Sequence, residues 1–332
     1  MKTLSFVAAL ALAGAAVLPA RAEPPVLTVY TYDSFVSDWG PGPAVKQAFE
    51  AECGCTLEYV AAGDGAELLS RLRLEGSRTR ADVVLGLDMN QIVTARETGL
   101  FAPHGLDMDG LAVPVDWADD MFLPFDWGYF AFVYDKTRVD NPPASFADLI
   151  ASDLTILIED PRSSTPGLGL LLWVKAAFGA RSGEIWQGLA PHIVTVTKGW
   201  SEAYGLFLEG EADMVLSYTT SPLYHRIAEG DDSKRAAIFD EGHYMQVEVA
   251  AQVAGSDTPE LAAAFLRFVQ GPAFQAIIPT SNWMYPAFLP DADWPDGFTR
   301  PGPEVKPLLM SAVEAAAIRD EALEEWRAAL SR

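Results

Sequence analysis

The chain has 332 residues, of which 50% are apolar and 21% are charged, so a folded protein with two domains of ordinary size is expected and a disordered chain is not. Its formal net charge at pH 7 is −23. So acidic a surface repels nucleic acid and anionic lipid and attracts cations, which argues against nucleic-acid binding.

The N-terminus has the pattern of an export signal. Met1 and Lys2 precede an apolar run at 4–17, and Ala20-Arg21-Ala22 matches an A-x-A cleavage site. The sequence therefore predicts a signal peptide at 1–22, cleaved after Ala22. The apolar run is short for a membrane anchor. Loss of Lys2 and Arg21 leaves 21 basic and 46 acidic residues, which changes the net charge from −23 to −25.

The chain contains two cysteines, Cys53 and Cys55. In an exported protein a disulfide is the usual state of such a pair, although a C-x-C bridge closes a very small ring. Two thiolates alone make a poor zinc site, and the four histidines show no ligand spacing with them. A local disulfide and a pair of free thiols both remain open, a catalytic role is disfavoured, and no metal site is predicted.

The first third of the chain alternates between strand and helix patterns. The β-branched and aromatic runs at 26–31, 56–60 and 81–85 predict buried strands, and helical spacing follows the first two. This order predicts a parallel sheet whose strand exits share one edge. Tyr32, Asp64 and Asp88 occupy the loops at that edge. Each acid alone is more typical of a cap or turn, but the three together favour a binding site.

The middle of the chain offers a core strand and a second helix start. The aromatic run at 125–134 predicts a strand at which the chain crosses into a second lobe. A buried strand at 154–158 leads to Ser163, Ser164 and Thr165, with Pro166 at the first helical position. Hydroxyls and free N–H groups at a helix start can hold a phosphate or carboxylate, but the same residues are typical of an ordinary helix start.

Residues 195–225 carry four large aromatic side chains around one predicted helix and one predicted strand. The helix begins at Trp200 and ends at Gly210, and a short buried strand at 212–218 ends in Tyr218. Ligands of α/β proteins lie at such strand ends and helix N-termini. With Tyr204 and Tyr224, these residues predict one wall of a cleft for a flat, positively charged small molecule.

The last third returns the chain to the first lobe. A strand pattern at 244–253 precedes an amphipathic helix at 259–270 and a turn-rich loop that holds Trp283. The predicted organisation is lobe 1 at 23–124 and 246–290, lobe 2 at 125–245, and a C-terminal helical segment at 291–332 that packs on lobe 2.

The sequence lacks the common catalytic patterns, namely G-x-S-x-G, the P-loop, G-x-G-x-x-G after a strand, and H-E-x-x-H. A binding protein that is not an enzyme is therefore predicted. Each aromatic ring over a cation contributes about 0.5–2 kcal/mol, so several rings and one carboxylate can give tight binding without catalysis.

Several long segments carry a resemblance to a known family. They are VLTVYTYDSFVSDWGPGP at 26–43, ADVVLGLD at 81–88, DPRSSTPGLGLLL at 160–172, TVTKGWSEAYGLF at 195–207, VLSYTTSP at 215–222 and IPTSNWMYP at 278–286. In this order, over nearly the whole mature chain, they resemble the periplasmic thiamine-binding proteins of bacterial ABC importers, a group of solute-binding proteins. The resemblance weakens after Pro286.

The resemblance implies a periplasmic α/β protein of the two-lobed, type II binding-protein fold, which closes on its ligand at a hinge. It implies thiamine, thiamine phosphate or thiamine diphosphate as the transported ligand, no cofactor, and a monomer that meets the permease of an ABC importer and its ATPase. Carried onto this sequence, the implied site places aromatic and acidic residues around the vitamin and two serines near any phosphate. These residues are Tyr32, Trp39, Asp64, Trp200, Tyr218, Tyr224 and Trp283, with Ser163 and Ser164.

Other functions remain as alternatives. A ferric-ion receptor of related fold would offer adjacent tyrosines, whereas Thr219 follows Tyr218 here, and a polyamine receptor would favour more acids and fewer rings. A thiamine-cleaving enzyme on a similar scaffold would need a cysteine nucleophile. Cys53 and Cys55 are the candidates, and they lie at a helix end away from the predicted cleft. A purely structural domain would leave the aromatic residues at the strand exits unexplained.

Overall fold

The computed structural model describes residues 24–331, and the predicted signal peptide lies outside these described residues. The strands are β1 Val26–Thr31, β2 Thr56–Ala61, β3 Val83–Asp88, β4 Leu123–Asp135, β5 Ile156–Glu159, β6 Ile193–Thr197, β7 Met214–Tyr218, β8 Lys234–Ala236, β9 His243–Gln252, β10 Tyr285–Pro286 and β11 Pro307–Leu308.

The helices alternate with these strands. They are α1 Asp33–Val36, α2 Gly42–Cys53, α3 Gly65–Glu75, α4 Ile92–Glu97, α5 Phe146–Ala151, α6 Thr165–Phe178, α7 Ser182–Leu189, α8 Trp200–Glu209, α9 Ser221–Tyr224, α10 Pro259–Gln270, α11 Pro272–Gln275, α12 Ile278–Ser281 and α13 Ala312–Leu330. A π-helical turn, His225–Glu229, continues α9.

Lobe 1 is built on a sheet in which β1 lies between β2 and β3, parallel to both. Successive side chains of a strand point to opposite faces, so β1 supplies two cores. Leu27 and Val29 pack in one core with α2 and α10, whereas Tyr30 packs in the other with leucines of α3. Because the strands are parallel, their carboxyl ends lie at one edge of the sheet.

Two long antiparallel strands, β4 and β9, connect the lobes. Residues 123–129 of β4 pair with β9, and residues 130–134 pair with β7 of lobe 2. The other edge of β9 pairs with β3 of lobe 1. The eight main strands thus follow the order β2-β1-β3-β9-β4-β7-β5-β6, and the two segments predicted to cross between lobes are β4 and β9.

Lobe 2 has its own hydrophobic core around α6. This helix is buried along most of its length, and Trp173 packs with Phe146 and Phe239. The C-terminal helix α13 packs against α6 and α7, and its Trp326 belongs to the same core. Lys175 of α6 also binds two glutamates of α13. Trp294 of the preceding segment packs instead with Tyr285 beside the crossing strands.

Cys53 and Cys55 form a disulfide at the C-terminal end of α2. Gly54 between them has φ of 63°, a left-handed conformation that favours glycine. The two cysteines therefore present no free thiol. Within residues 24–331 no single helix has the length and hydropathy to cross a membrane, and one bent pair, Pro259–Gln270 with Pro272–Ser281, meets those two criteria together.

Candidate functional site

A cavity of about 300 Å³ lies between the two lobes. This volume falls at the lower end of the range for small-molecule sites, which is about 300–1,000 Å³. Seven of the nine predicted site residues line the cavity: Tyr32, Trp39, Asp64, Trp200, Tyr218, Tyr224 and Trp283. The structure thus brings together residues that are as far apart in sequence as Tyr32 and Trp283.

Strand ends and helix starts position most of these side chains. Tyr32 directly follows β1, and Asp64 is the N-cap residue of α3. In lobe 2, Trp200 is the first residue of α8 and Tyr218 is the last residue of β7. Lobe 1 also contributes Trp283, which comes two residues after α12. The cleft therefore lies where the sheet topology collects the ends of strands from both lobes.

The aromatic side chains form two groups in the cleft. Trp200 lies 5.1 Å from Tyr204 and 6.1 Å from Trp39 between ring centroids, and Trp39 is 56% exposed at the mouth. The ring of Trp283 packs edge-on against Tyr224, with centroids 5.4 Å apart. Both groups contain rings from lobe 1 and from lobe 2, so closure of the lobes determines the spacing of the aromatic walls.

Trp283 has an unusual backbone conformation, with φ of 57°, and is the one non-glycine residue of the described chain with positive φ. Its N–H donates to the carbonyl of Ile278 at 3.0 Å, which fixes the turn after α12. Left-handed backbone costs a non-glycine residue about 1 kcal/mol or more and clusters at ligand-binding sites. The loop therefore adopts a strained backbone conformation, and in that conformation the indole of Trp283 lines the cleft.

Direct hydrogen bonds hold the two lobes together beside the cavity. The Asp64 carboxylate accepts from the N–H of Trp200 at 3.1 Å, and the N–H of Gly65 donates to Thr165 Oγ1 at 3.2 Å. The N–H of Glu67 donates to the carbonyl of Ser163 at 3.1 Å. A Cβ on Gly65 would lie 2.6 Å from Thr165 Oγ1, so this approach requires glycine. The N-terminus of α3 therefore docks onto lobe 2.

Asp64 is the acid that the sequence predicts at the site, and its carboxylate is buried. Burial raises the pKa of Asp64 to about 6, although hydrogen bonds from Ser164 and from the backbone of Trp200 lower it. A cation in the cleft would favour the ionised form and offset the cost of burial. The third acid predicted at the sheet edge, Asp88, is buried, accepts from Asn90 N at 2.6 Å and does not line the cavity.

Ser163 and Ser164 do not line the cavity. The Ser163 hydroxyl donates to the carbonyl of Lys198 at 2.6 Å. Ser164 is fully buried and caps α6, where its oxygen accepts from Gly167 N at 3.4 Å. The next residues, Thr165 and Pro166, reach the cavity instead. The structure thus does not bring the two serines to the cleft surface, and their contact with a phosphate stays a prediction.

The cavity also contains residues that were not among the predicted site. Glu248 of β9 lines it, and the carboxylate accepts from Tyr32 Oη at 2.9 Å and from Gln246 Nε2 at 2.9 Å. Asn282 lines it as well and donates to Asp126 Oδ2 at 2.6 Å. Glu248 is a charged residue within the largely apolar strand pattern YMQVEVAAQV at 244–253, and this is the feature of the sequence that could have indicated a functional role.

Two α/β lobes, two crossing strands and a cleft lined by side chains from both lobes define a solute-binding protein. The chain belongs to the bacterial extracellular solute-binding protein family, whose model matches residues 40–276. The predicted fold, an α/β protein of the two-lobed periplasmic binding-protein type, is confirmed, and so is the prediction that the chain is not an enzyme. The predicted periplasmic location agrees with the relatives that it matches.

Curated relatives cover almost the whole chain. The thiamine-binding periplasmic protein of Escherichia coli K12 is 56% identical over 310 residues, which are 93% of this chain and 94% of the relative. The thiamine-binding periplasmic protein of Brucella abortus is 51% identical over 317 residues, or 95% of each chain.

Solved structures agree with this placement. A structure of a periplasmic thiamin binding protein superposes with a TM-score of 0.90 at 54% identity and covers 96% of this chain and 100% of its own. Iron-bound HitA from Pseudomonas aeruginosa has a TM-score of 0.73 at 21% identity over 92% of this chain and 99% of its own, which shows the shared fold alone.

Proposed function

We propose that this protein binds thiamine in the cleft between its lobes and delivers it to the permease of an ABC importer. One observation carries the proposal: the seven residues that the resemblance implies around the vitamin, six aromatic and one acidic, line a single cavity. The relatives at 51–56% identity whose names state thiamine binding support the same ligand.

The chemistry of the cavity suits this vitamin. Thiamine joins a permanently charged thiazolium to a flat aminopyrimidine. Indole and phenol faces attract such a cation by about 0.5–2 kcal/mol each. The buried acids Asp64 and Glu248 both line the cavity, and their ionised forms would offset the charge of a bound cation. Because the walls come from both lobes, ligand favours the closed form by its difference in affinity for the two forms.

The same proposal covers the forms of the ligand, the residues near a phosphate, the oligomeric state and the transport partners. The transported forms are thiamine, thiamine phosphate and thiamine diphosphate, and binding needs no cofactor. Ser163 and Ser164, at the start of α6, are the proposed residues near a phosphate. The protein acts as a monomer after cleavage of its signal peptide behind Ala22, and the permease that receives the ligand works with an ATPase.

The ferric-ion alternative finds little support in the site. Two tyrosines of the cleft already form hydrogen bonds with protein side chains: Tyr32 donates to Glu248, and Tyr218 donates to Gln246 at 3.1 Å. The cleft holds no adjacent tyrosine pair at 218–219. A thiamine-cleaving enzyme would need a free cysteine in the cleft, but Cys53 and Cys55 are bonded to each other and do not line it.

Two measurements test the proposal. Native mass spectrometry of the purified protein would identify any small molecule that remains bound. Isothermal titration with thiamine, its two phosphate esters, spermidine and Fe(III) would then rank the ligands. We expect tight 1:1 binding of thiamine and its esters and much weaker binding of the other two. Preference for spermidine or Fe(III) over thiamine would refute the proposed function.

A further inference from the structure

Three acidic residues form a row across three neighbouring strands beside the cavity. In the register of the sheet, Glu248 of β9 lies opposite Asp88 of β3 on one side and opposite Asp126 of β4 on the other. Residues directly opposite on neighbouring strands point to the same face and interact. Of the three, Glu248 lines the cavity. The row therefore places a carboxyl group directly at the ligand site with two further acids beside it.

The partners of Glu248 are neutral. Its two oxygens accept from Tyr32 Oη and Gln246 Nε2, and no ion pair of residues 24–331 includes Glu248 or Asp126. Asp126 accepts from Asn282 through one oxygen, and the other, Oδ1, has no donor among the described residues. Like charges that are buried together cannot all be ionised without a compensating cation.

The groups that face Glu248 from the surrounding elements are all neutral or acidic. They are Tyr32 after β1, Asp88 of β3, Asp126 of β4, Tyr218 of β7, Gln246 of the same strand and Asp64 at the start of α3. Burial and then repulsion from Asp126 raise the pKa of Glu248 well above its usual range. Arg319 of α13 supplies positive charge near Asp88, but no basic group is among the charges that act on Glu248 or Asp126. A cationic ligand would supply the positive charge that these two acids lack.

We propose that Glu248 selects for a cation in the cleft and releases a proton to solvent when the cation binds. The positive charge of the ligand favours the carboxylate form of Glu248, so the proton that this buried row of acids holds in the free protein leaves to solvent. This inference rests on the proposed thiamine function. Asp64 has a different task, because hydrogen bonds from Trp200 and Ser164 engage its carboxylate at the junction of the lobes.

The test is titration calorimetry with thiamine at pH 7.5 in phosphate and in Tris, two buffers with different heats of ionisation. The difference in apparent enthalpy gives the number of protons released. At this pH Asp64, with a pKa of about 6, is already mostly ionised, so it contributes little. We expect the wild type to release protons, and Glu248→Gln to release clearly fewer and to bind at least about tenfold more weakly. Asp33→Asn, which removes an exposed acid next to Tyr32, is the matched control and should stay within about twofold of wild-type affinity.

Several results would overturn the inference. These are a wild type that binds thiamine without proton release, a Glu248→Gln variant that keeps proton release, and equal losses of affinity in Glu248→Gln and Asp33→Asn. Glu248→Asp keeps the carboxyl group and should keep proton release, which separates the titrating role from packing. A wild type that fails to bind thiamine at all would instead refute the proposed function.

Discussion

Two buried carboxyl groups should each make the unliganded protein more stable at pH 5.5 than at pH 7.5, the reverse of ordinary acid sensitivity. Asp64 and Asp88 are both buried, and burial raises the pKa of each to about 6. Each group is therefore easier to protonate in the folded chain than in the unfolded chain. Its contribution to stability is complete below the unfolded pKa of about 3.9 and is lost as the pH rises through about 6.

The linkage relation gives the size of the effect. For a folded pKa of about 6, one carboxyl group changes the free energy of unfolding by roughly 0.8 kcal/mol between pH 7.5 and 5.5. Asp64 and Asp88 together contribute roughly 1.5 kcal/mol, which corresponds to a rise in Tm of a few degrees for a protein of this size. The pKa values of Glu248 and Asp126 are also raised by burial, so they add to the effect in the same direction. Burial lowers the pKa of His243, which therefore acts in the opposite direction.

Thermal unfolding followed by calorimetry at the two pH values would measure this difference. The experiment should be run in 1 M NaCl, where the Debye length of about 3 Å screens repulsion between surface acids. Asp88→Asn removes one titrating group without altering the cavity lining and should reduce the difference by about 0.8 kcal/mol. If Asp88→Asn and the wild type showed the same difference in Tm between the two pH values, the reasoning would be refuted.

Three further predictions concern the site and the disulfide. Trp200→Ala and Trp283→Ala should each weaken thiamine binding at least about tenfold through loss of one π contact, measured by titration calorimetry, and wild-type affinity in either variant would remove that residue from the site. Ser164→Ala should cost about 1 kcal/mol of stability in denaturant unfolding because it removes the cap of α6, and it should weaken binding of the phosphate esters more than of thiamine. Replacing Cys53 and Cys55 by serine should leave thiamine affinity within about twofold, since the disulfide lies outside the cavity, and a large loss would contradict its placement there.

Sequence reasoning found the parts of the site that follow from local rules. Tyr32 follows a strand and Asp64 caps a helix, and parallel strands bring such positions to one edge. Trp200 could be predicted in the same way, because it is the first residue of a helix that follows a strand. The same rule also included Asp88, which lies at the end of β3 and does not line the cavity.

Other features depended on pairings that sequence does not reveal. Glu248 is 216 residues from its partner Tyr32, and the register of β9 between β3 and β4 determines that it meets the cleft. Thr165 lines the cavity whereas Ser164 does not, and this depends on how α3 docks onto the start of α6. Successive residues of a helix are rotated by about 100°, so neighbouring side chains lie on different faces. The sequence also left the C-x-C disulfide undecided, because it does not reveal the left-handed conformation that Gly54 adopts between the two cysteines.

The bonds from Gly65 and Glu67 to lobe 2 join backbone and hydroxyl groups of the protein to each other. These bonds involve no ligand atom, so they can hold the lobes at the same angle whichever ligand occupies the cleft. A permease that recognises the outer surface of the closed binding protein would therefore contact the same surface whichever ligand is bound. The residues that line the cavity would then determine which ligands bind, and transfer to the permease would not depend on the ligand.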